Sequence, residues 1–429
     1  MMRVLFALAA SVALTACGAS RDDSTGDDAT NEVPTPTLPP PVPLPECPDA
    51  DYSTCDVRHA DCQKRLFELA ACMRKNEPLT NISIQLMTPD QYVEVLRQDY
   101  EGVTEPAITH FDAALSLFGL APKQMPTLEQ NLQASVVDLL GVYRGKEKRI
   151  VIIDRDEPAD TAQIDATLLH EFIHALQDAD YDLLSWPDGD TVPSFDARLA
   201  RNSVIEGEAS FYQYRAAVPL LGIDITQVDF ASAMREHLDY TRGLVQKSQS
   251  PLGESFSTFP YGFGAAQAFA AWTDGGPRGT DPLWASPPTS TQQVMSPILG
   301  VDTPQTSGLE IPTPDIKDLT SDSDDTLGAW GLDILLERLE GEGKEADADA
   351  LTWRGDHLWV YTDAQGTSTY LLWQLELASP AAATRLNGAF DSFLGCQHAT
   401  AGSRVFASCS DFKPAPELTA WGQSWLAAE

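Results

Sequence analysis

Within the stretch from Asp160 to Asp182 the chain carries His170-Glu171-Phe172-Ile173-His174. On a helix, positions i and i+4 share one side, so two imidazoles at this spacing can close on a single Zn²⁺. Glu171, one residue after the first imidazole, can reach water beside such an ion without ligating it. Zinc lowers the pKa of its water to about 7, and a neighbouring carboxylate can take the proton and pass it to a leaving amine. The pattern points to hydrolysis by activated water, with Glu171 as general base. The bland alternative is two packed or solvated histidines on an ordinary helix.

Neighbouring residues supply the elements that would position this group. Ile164, Leu168, Phe172 and Leu176 recur at every fourth position, which buries one helix face. Asp160 with Gln163 reads as an N-cap pairing. Upstream, Leu140–Arg144, the polar turn Gly145–Lys148 and the β-branched run Arg149–Asp154 predict a hairpin. An edge strand followed by the motif helix is the zincin order.

Three protein ligands leave zinc an open position. Gln177 and Asp180 stand where a metzincin would place Gly and His, so the third ligand comes from elsewhere. Arg198 to Val218 predicts a second helix containing Val204-Ile205-Glu206-Gly207-Glu208-Ala209. A glutamate on a following helix is the gluzincin solution. The Glu-Gly-x-Ala wording resembles the aminopeptidase branch, in which the glutamate before glycine binds the metal. That favours Glu206, with Glu208 as the alternative on a different helix face.

His170-Glu171-x-x-His174-Ala175-Leu176-Gln177-Asp178 followed by Glu206-Gly207-x-Ala209 resembles a group of bacterial and archaeal zinc metallopeptidases, many of them lipoproteins. Pro260-Tyr261 with Gly262 and Gly264, Ser290-Thr291-Gln292-Gln293-Val294, and Trp353-Arg354-Gly355-Asp356 extend the likeness over about residues 80–410. The resemblance implies an α+β, zincin-like metallopeptidase core of gluzincin type and a peptide or protein substrate. It also points to Tyr261 as the group that steadies the developing oxyanion. Where the group has His-Pro, this chain has Met295-Ser296-Pro297. That departure keeps open a second function, a catalytically inactive binding lipoprotein on the same scaffold. Asp178, one turn beyond His174, is the candidate to orient its ring. His237 is a weaker candidate near the site, and His59, His110, His357 and His398 read as structural or surface residues.

The flanks set the compartment. Arg3 precedes the apolar run Val4–Ala13, which ends in Leu14-Thr15-Ala16-Cys17-Gly18 and resembles a lipobox. Lipidation of Cys17, with no Asp after it, predicts an outer-membrane lipoprotein on the periplasmic or cell-surface side, touching the membrane through its lipid alone. Six further cysteines, Cys47, Cys55, Cys62, Cys72, Cys396 and Cys409, predict disulfides in an exported chain. Cys396 is expected to pair with Cys409, and the other four to staple one another. With 63 acidic and 28 basic residues the net charge is −35, which repels phosphate backbones and excludes nucleic-acid partners. The expected organisation is a signal peptide over 1–16, a lipidated proline-rich tether over 17–46 and a cysteine-rich helical segment over 47–78. A metallopeptidase domain over 79–325 and a small α+β module over 326–429 follow. Residues 275–325, rich in Pro, Ser, Thr and Asp, read as mostly loop.

Overall fold

A computed structural model describes residues 47–79, 82–102, 109–124, 126–137, 139–155, 161–186, 194–301, 313–340, 344–393, 395–410 and 415–427. The signal peptide, Cys17, the tether and Asp160 lie outside the described residues. The architecture is mixed α+β, with two sheets. The first half runs α1 (Ala60–Arg74), β1 (Ser83–Met87), α2 (Pro89–Asp99), α3 (His110–Ser116), α4 (Leu128–Ser135), β2 (Gly141–Arg144) and β3 (Arg149–Ile153). It continues through α5 (Ala162–Tyr181), α6 (Phe195–Leu220), α7 (Phe230–Lys247), α8 (Pro251–Phe259), a π-helical turn (Pro260–Gly264) and α9 (Ala265–Gly275). Then come α10 (Asp281–Ala285), α11 (Thr291–Ile298), β4 (Leu319–Asp325), α12 (Gly328–Glu340), α13 (Lys344–Ala350) and β5 (Trp353–Asp363). β6 (Thr369–Leu377), α14 (Pro380–Ala389), β7 (Cys396–Ala401), β8 (Arg404–Ser410) and α15 (Pro416–Leu426) complete it.

The expected hairpin is present as β2 and β3, paired from Gly141–Ile152 to Arg144–Arg149. Its place in the sheet differs from the expectation. β3 is the middle strand, because Ser83–Met87 pairs parallel to it, and β2 is the edge strand beside the motif helix. The apolar run Ile150–Ile153 is buried on both faces, as a central strand requires. Ser83-Ile84-Gln85-Leu86-Met87 is too short and too polar for its strand to be read without the partner it finds.

α5 begins where Thr161 accepts the Ile164 N–H on its side chain, so Thr161 is the N-cap. This corrects the Asp160–Gln163 pairing by one register. From Ala162 to Asp178 the helix is almost wholly buried, more than the fourfold repeat alone suggested. The reason is α1, which packs on its outer face. Phe67 stacks on Phe172 with ring centroids 4.7 Å apart, and Asp165 accepts the Cys55 N–H at 3.0 Å. Each such buried phenyl contributes on the order of 1.5–3 kcal/mol. The cysteine-rich segment is thus part of the core behind the motif helix, tied by Cys47–Cys72 and Cys55–Cys62.

The second sheet has the order β4-β5-β6-β8-β7, all antiparallel. Cys396 and Cys409 lie opposite each other on β7 and β8 and form the expected disulfide, across two strands and not merely across a loop. β4, Leu319-Thr-Ser-Asp-Ser-Asp-Asp325, belongs to this sheet, so a boundary at 325/326 would cut it off. Its polar sequence suits a charged edge strand and hides its strand character. The 275–325 region is therefore not mostly loop among its described residues, since α10, α11 and β4 fall within it. Trp330, Leu335, Leu371 and Trp373 share one core cluster with Leu199, Phe263 and Val294, so the second sheet packs directly on the helical body.

Candidate functional site

α5 and α6 pack side by side and place three side chains together. His170 and His174 face each other with Nε2 atoms 2.9 Å apart. The Glu206 carboxylate lies 3.4 Å from one Nε2 and 3.3 Å from the other. Four-coordinate zinc, with ligands at 2.0–2.2 Å, spaces its donors by roughly 3.3–3.5 Å. The observed triangle needs only a few tenths of an ångström to open to that size. His170 Nδ1 is buried without a hydrogen-bond partner among the described residues. A donor set of two imidazoles and one carboxylate, converging at nearly the ligand spacing of zinc, fits a zinc-type cation.

Electrostatics favour the same occupant. Burial disfavours charge on His174, but the charge of and hydrogen bond to Glu206 outweigh it and raise the imidazolium pKa to about 9. Burial likewise opposes the Glu206 carboxylate, yet the two imidazoles hold it well below the usual range. Among the described residues, two other groups of potential ligands are already engaged. Cys55 and Cys62 are oxidised beside Asp165, while Asp333, Glu337 and Asp347 converge on the Arg242 guanidinium, itself a cation.

Glu171 is buried beside the triangle and lines the cleft. Its Oε2 accepts the Tyr143 N–H of β2 at 2.6 Å, so the edge strand aims the carboxylate. Burial pushes the Glu171 carboxyl above its ordinary pKa, against the pull of the two imidazoles. Tyr261 meets the site from the π-helical turn, its ring parallel to that of His170 with centroids 6.1 Å apart. Burial first, then Glu206 by charge and hydrogen bond, and Glu171 by charge hold the phenol protonated far above its usual range. It is a buried donor that lines the cleft beside Glu206. His237 lies behind it, with Nε2 3.1 Å from the Tyr261 carbonyl and 2.9 Å from the Tyr214 hydroxyl. Burial lowers its pKa to about 4, so His237 is a neutral brace for the turn and not a cleft group.

The glycines explain why this geometry closes. A Cβ on Gly207 would sit 2.3 Å from the Gly264 carbonyl carbon, and one on Gly264 would sit 2.4 Å from the Ser203 oxygen. The helix carrying Glu206 and the turn carrying Tyr261 therefore cross backbone against backbone, which only glycine permits. The Glu-Gly wording reflects this crossing.

One sequence-based expectation changes. Asp178 does not touch His174. It accepts from the Tyr143 hydroxyl, Lys148 Nζ and the Leu183 N–H, fastening the hairpin to the end of α5. The ring of His174 is held instead by Gln177, three residues on, through Nδ1···Oε1 at 2.8 Å. In the sequence Gln177 stands as the residue replacing a metzincin glycine and as part of the family likeness, with no role attached. Glu208, the alternative to Glu206, does not join the triangle. It accepts from Arg74, Gln177, Thr280 and Trp284, and its acceptor capacity is spent there. Ser296, at the position of the absent histidine, is buried in α11 and is not among the residues lining the cleft.

That cleft has a volume of about 780 Å³. Glu171, His174, Glu206 and Tyr261 line it together with Gly141–Tyr143 of β2. A family model described as a domain of unknown function (DUF8575) matches residues 317–425, which span β4 to α15. No curated protein and no solved structure matches the chain. None of the described helices is long and apolar enough to cross a membrane.

Proposed function

We propose that this chain is a zinc-dependent peptidase, exported and held at the outer membrane by lipid on Cys17. The observation that carries the reading is the meeting of His170, His174 and Glu206 in one triangle, with Glu171 aimed beside it, in the lining of a cleft. His170, His174 and Glu206 would hold the metal. A zinc ion there supplies an acidified water and polarises the carbonyl to be attacked. Glu171, fixed by the Tyr143 N–H, takes the proton and returns it to the departing amine. Tyr261, kept protonated, donates to the oxygen on which negative charge develops.

The lining of the cleft includes the apolar side chains of Phe111, Leu115, Leu120, Leu252, Phe256 and Leu327. An extended peptide with a bulky apolar side chain near the cleaved bond suits that lining. The test is a peptide library presented to the full chain. Cleavage should require zinc, stop with chelator, and favour large apolar side chains beside the cut. Phe256→Ala should lower kcat/KM for those peptides about tenfold or more, mainly through KM. Zinc-independent cleavage, or cleavage blind to the apolar side chain, contradicts the reading.

A further inference from the structure

Four buried groups run in a line from the N-terminal helix to the candidate metal ligand. Arg74 of α1 is 1% exposed, and its Nε donates to Glu208 Oε2 at 3.2 Å. The same oxygen accepts Gln177 Nε2 at 3.0 Å. Gln177 Nε2 also donates to the Ile205 carbonyl at 3.0 Å, and Gln177 Oε1 meets His174 Nδ1 at 2.8 Å.

Donor and acceptor chemistry fixes the direction of this line. A backbone carbonyl can only accept, so the amide nitrogen of Gln177 must face Ile205 and Glu208. Its oxygen must then face His174, and Nδ1 must carry a hydrogen. With Nδ1–H committed, Nε2 is the nitrogen left for a cation. Ile205 precedes Glu206 in the chain, so the same amide also ties the backbone next to the carboxylate of the triangle. Gln177 spans both helices that carry the triangle.

We propose that Gln177 and Glu208, anchored by Arg74, form a positioning relay that sets the tautomer and direction of His174. The disulfide-clipped N-terminal segment is then a working wall of the site and not a spacer before it. The inference rests on the peptidase reading only in naming zinc as the occupant. Outer partners of this kind typically contribute 10–100-fold to metal affinity. Gln177→Met keeps the length of the side chain and removes both ends of the relay. Glu208→Gln keeps shape but turns a donor toward Arg74 and Gln177.

The measurement is zinc affinity of the full chain by chelator competition, with fold checked by circular dichroism. Gln177→Met should weaken zinc binding 10–100-fold with the fold intact. Glu208→Gln should weaken it in the same direction, and the double variant should be no weaker than Gln177→Met alone. Wild-type affinity in folded Gln177→Met, or additive losses in the double variant, would overturn the relay. Should Gln177→Met fail to fold, Glu208→Gln decides, since unchanged affinity there also overturns it. In metal-free protein, His174 should show a solvent-protected Nδ1–H proton resonance that Gln177→Met abolishes. If the wild type binds no zinc but shows that proton, the peptidase reading fails and the relay stands. If the proton exchanges freely in the wild type, the relay fails.

Discussion

Glu171→Gln should abolish most peptide cleavage while leaving zinc in place. The substitution keeps the length of the side chain and an oxygen that can accept the Tyr143 N–H, now seen at 2.6 Å. It removes the group that gains and loses a proton. A positioned general base contributes about 10²–10⁴ in rate, and the loss is larger when the same group delivers the proton to the leaving amine. Glu171 is buried and does not belong to the triangle of His170, His174 and Glu206, so metal content and folding should match the wild type. Cleavage persisting undiminished in Glu171→Gln would remove Glu171 from the mechanism. A chain that cleaves nothing in either form, yet binds zinc, would fit a binding protein on the same scaffold.

Arg74→Met should lower the free energy of unfolding by about 3–5 kcal/mol. Arg74 and Glu208 are 1% and 2% exposed, and no water can replace the lost guanidinium. Methionine restores much of the apolar stem, so the cost is mainly a buried carboxylate left without its cation. Thr280, Trp284 and Gln177 still donate to that carboxylate. They hold the loss within this range. Replacing Glu208 as well, by an apolar residue of similar volume, should recover a large part of the stability. Urea denaturation of the three proteins reads both effects, and a loss under about 1 kcal/mol for Arg74→Met would show that the pair is not isolated from solvent.

The site was more legible than the fold around it. His170 and His174 are four residues apart, and helical spacing alone brings them to one side, with Glu171 next to the first. Glu206 could be chosen over Glu208 only through a resemblance, and the physical reason for the Glu-Gly pair appears in the crossing at Gly264. The roles of Gln177 and Arg74 had no local signal. Both bond Glu208 on α6, and nothing in the periodicity of α5 says that its outer face is covered. Asp178 was misplaced because helical spacing puts it near His174 but says nothing of Tyr143 and Lys148 approaching from the hairpin. Strands failed where they were edge-like or brief: β1 is recruited by β3, β4 is acidic, and β7 is polar and held by Cys396–Cys409. The apolar strand β3 was readable because burial on both faces demands an apolar run.

Metal content of the purified full chain tests the central claim most directly. The account predicts about one zinc per chain, lost in His170→Ala, His174→Ala and Glu206→Gln, and retained at stoichiometric loading in Glu208→Gln. Three protein ligands leave the open position that hydrolysis needs, and each of the three contributes a bond that no neighbour can replace. A chain without zinc after reconstitution, or one that keeps zinc in Glu206→Gln and loses it in Glu208→Gln, would contradict the account.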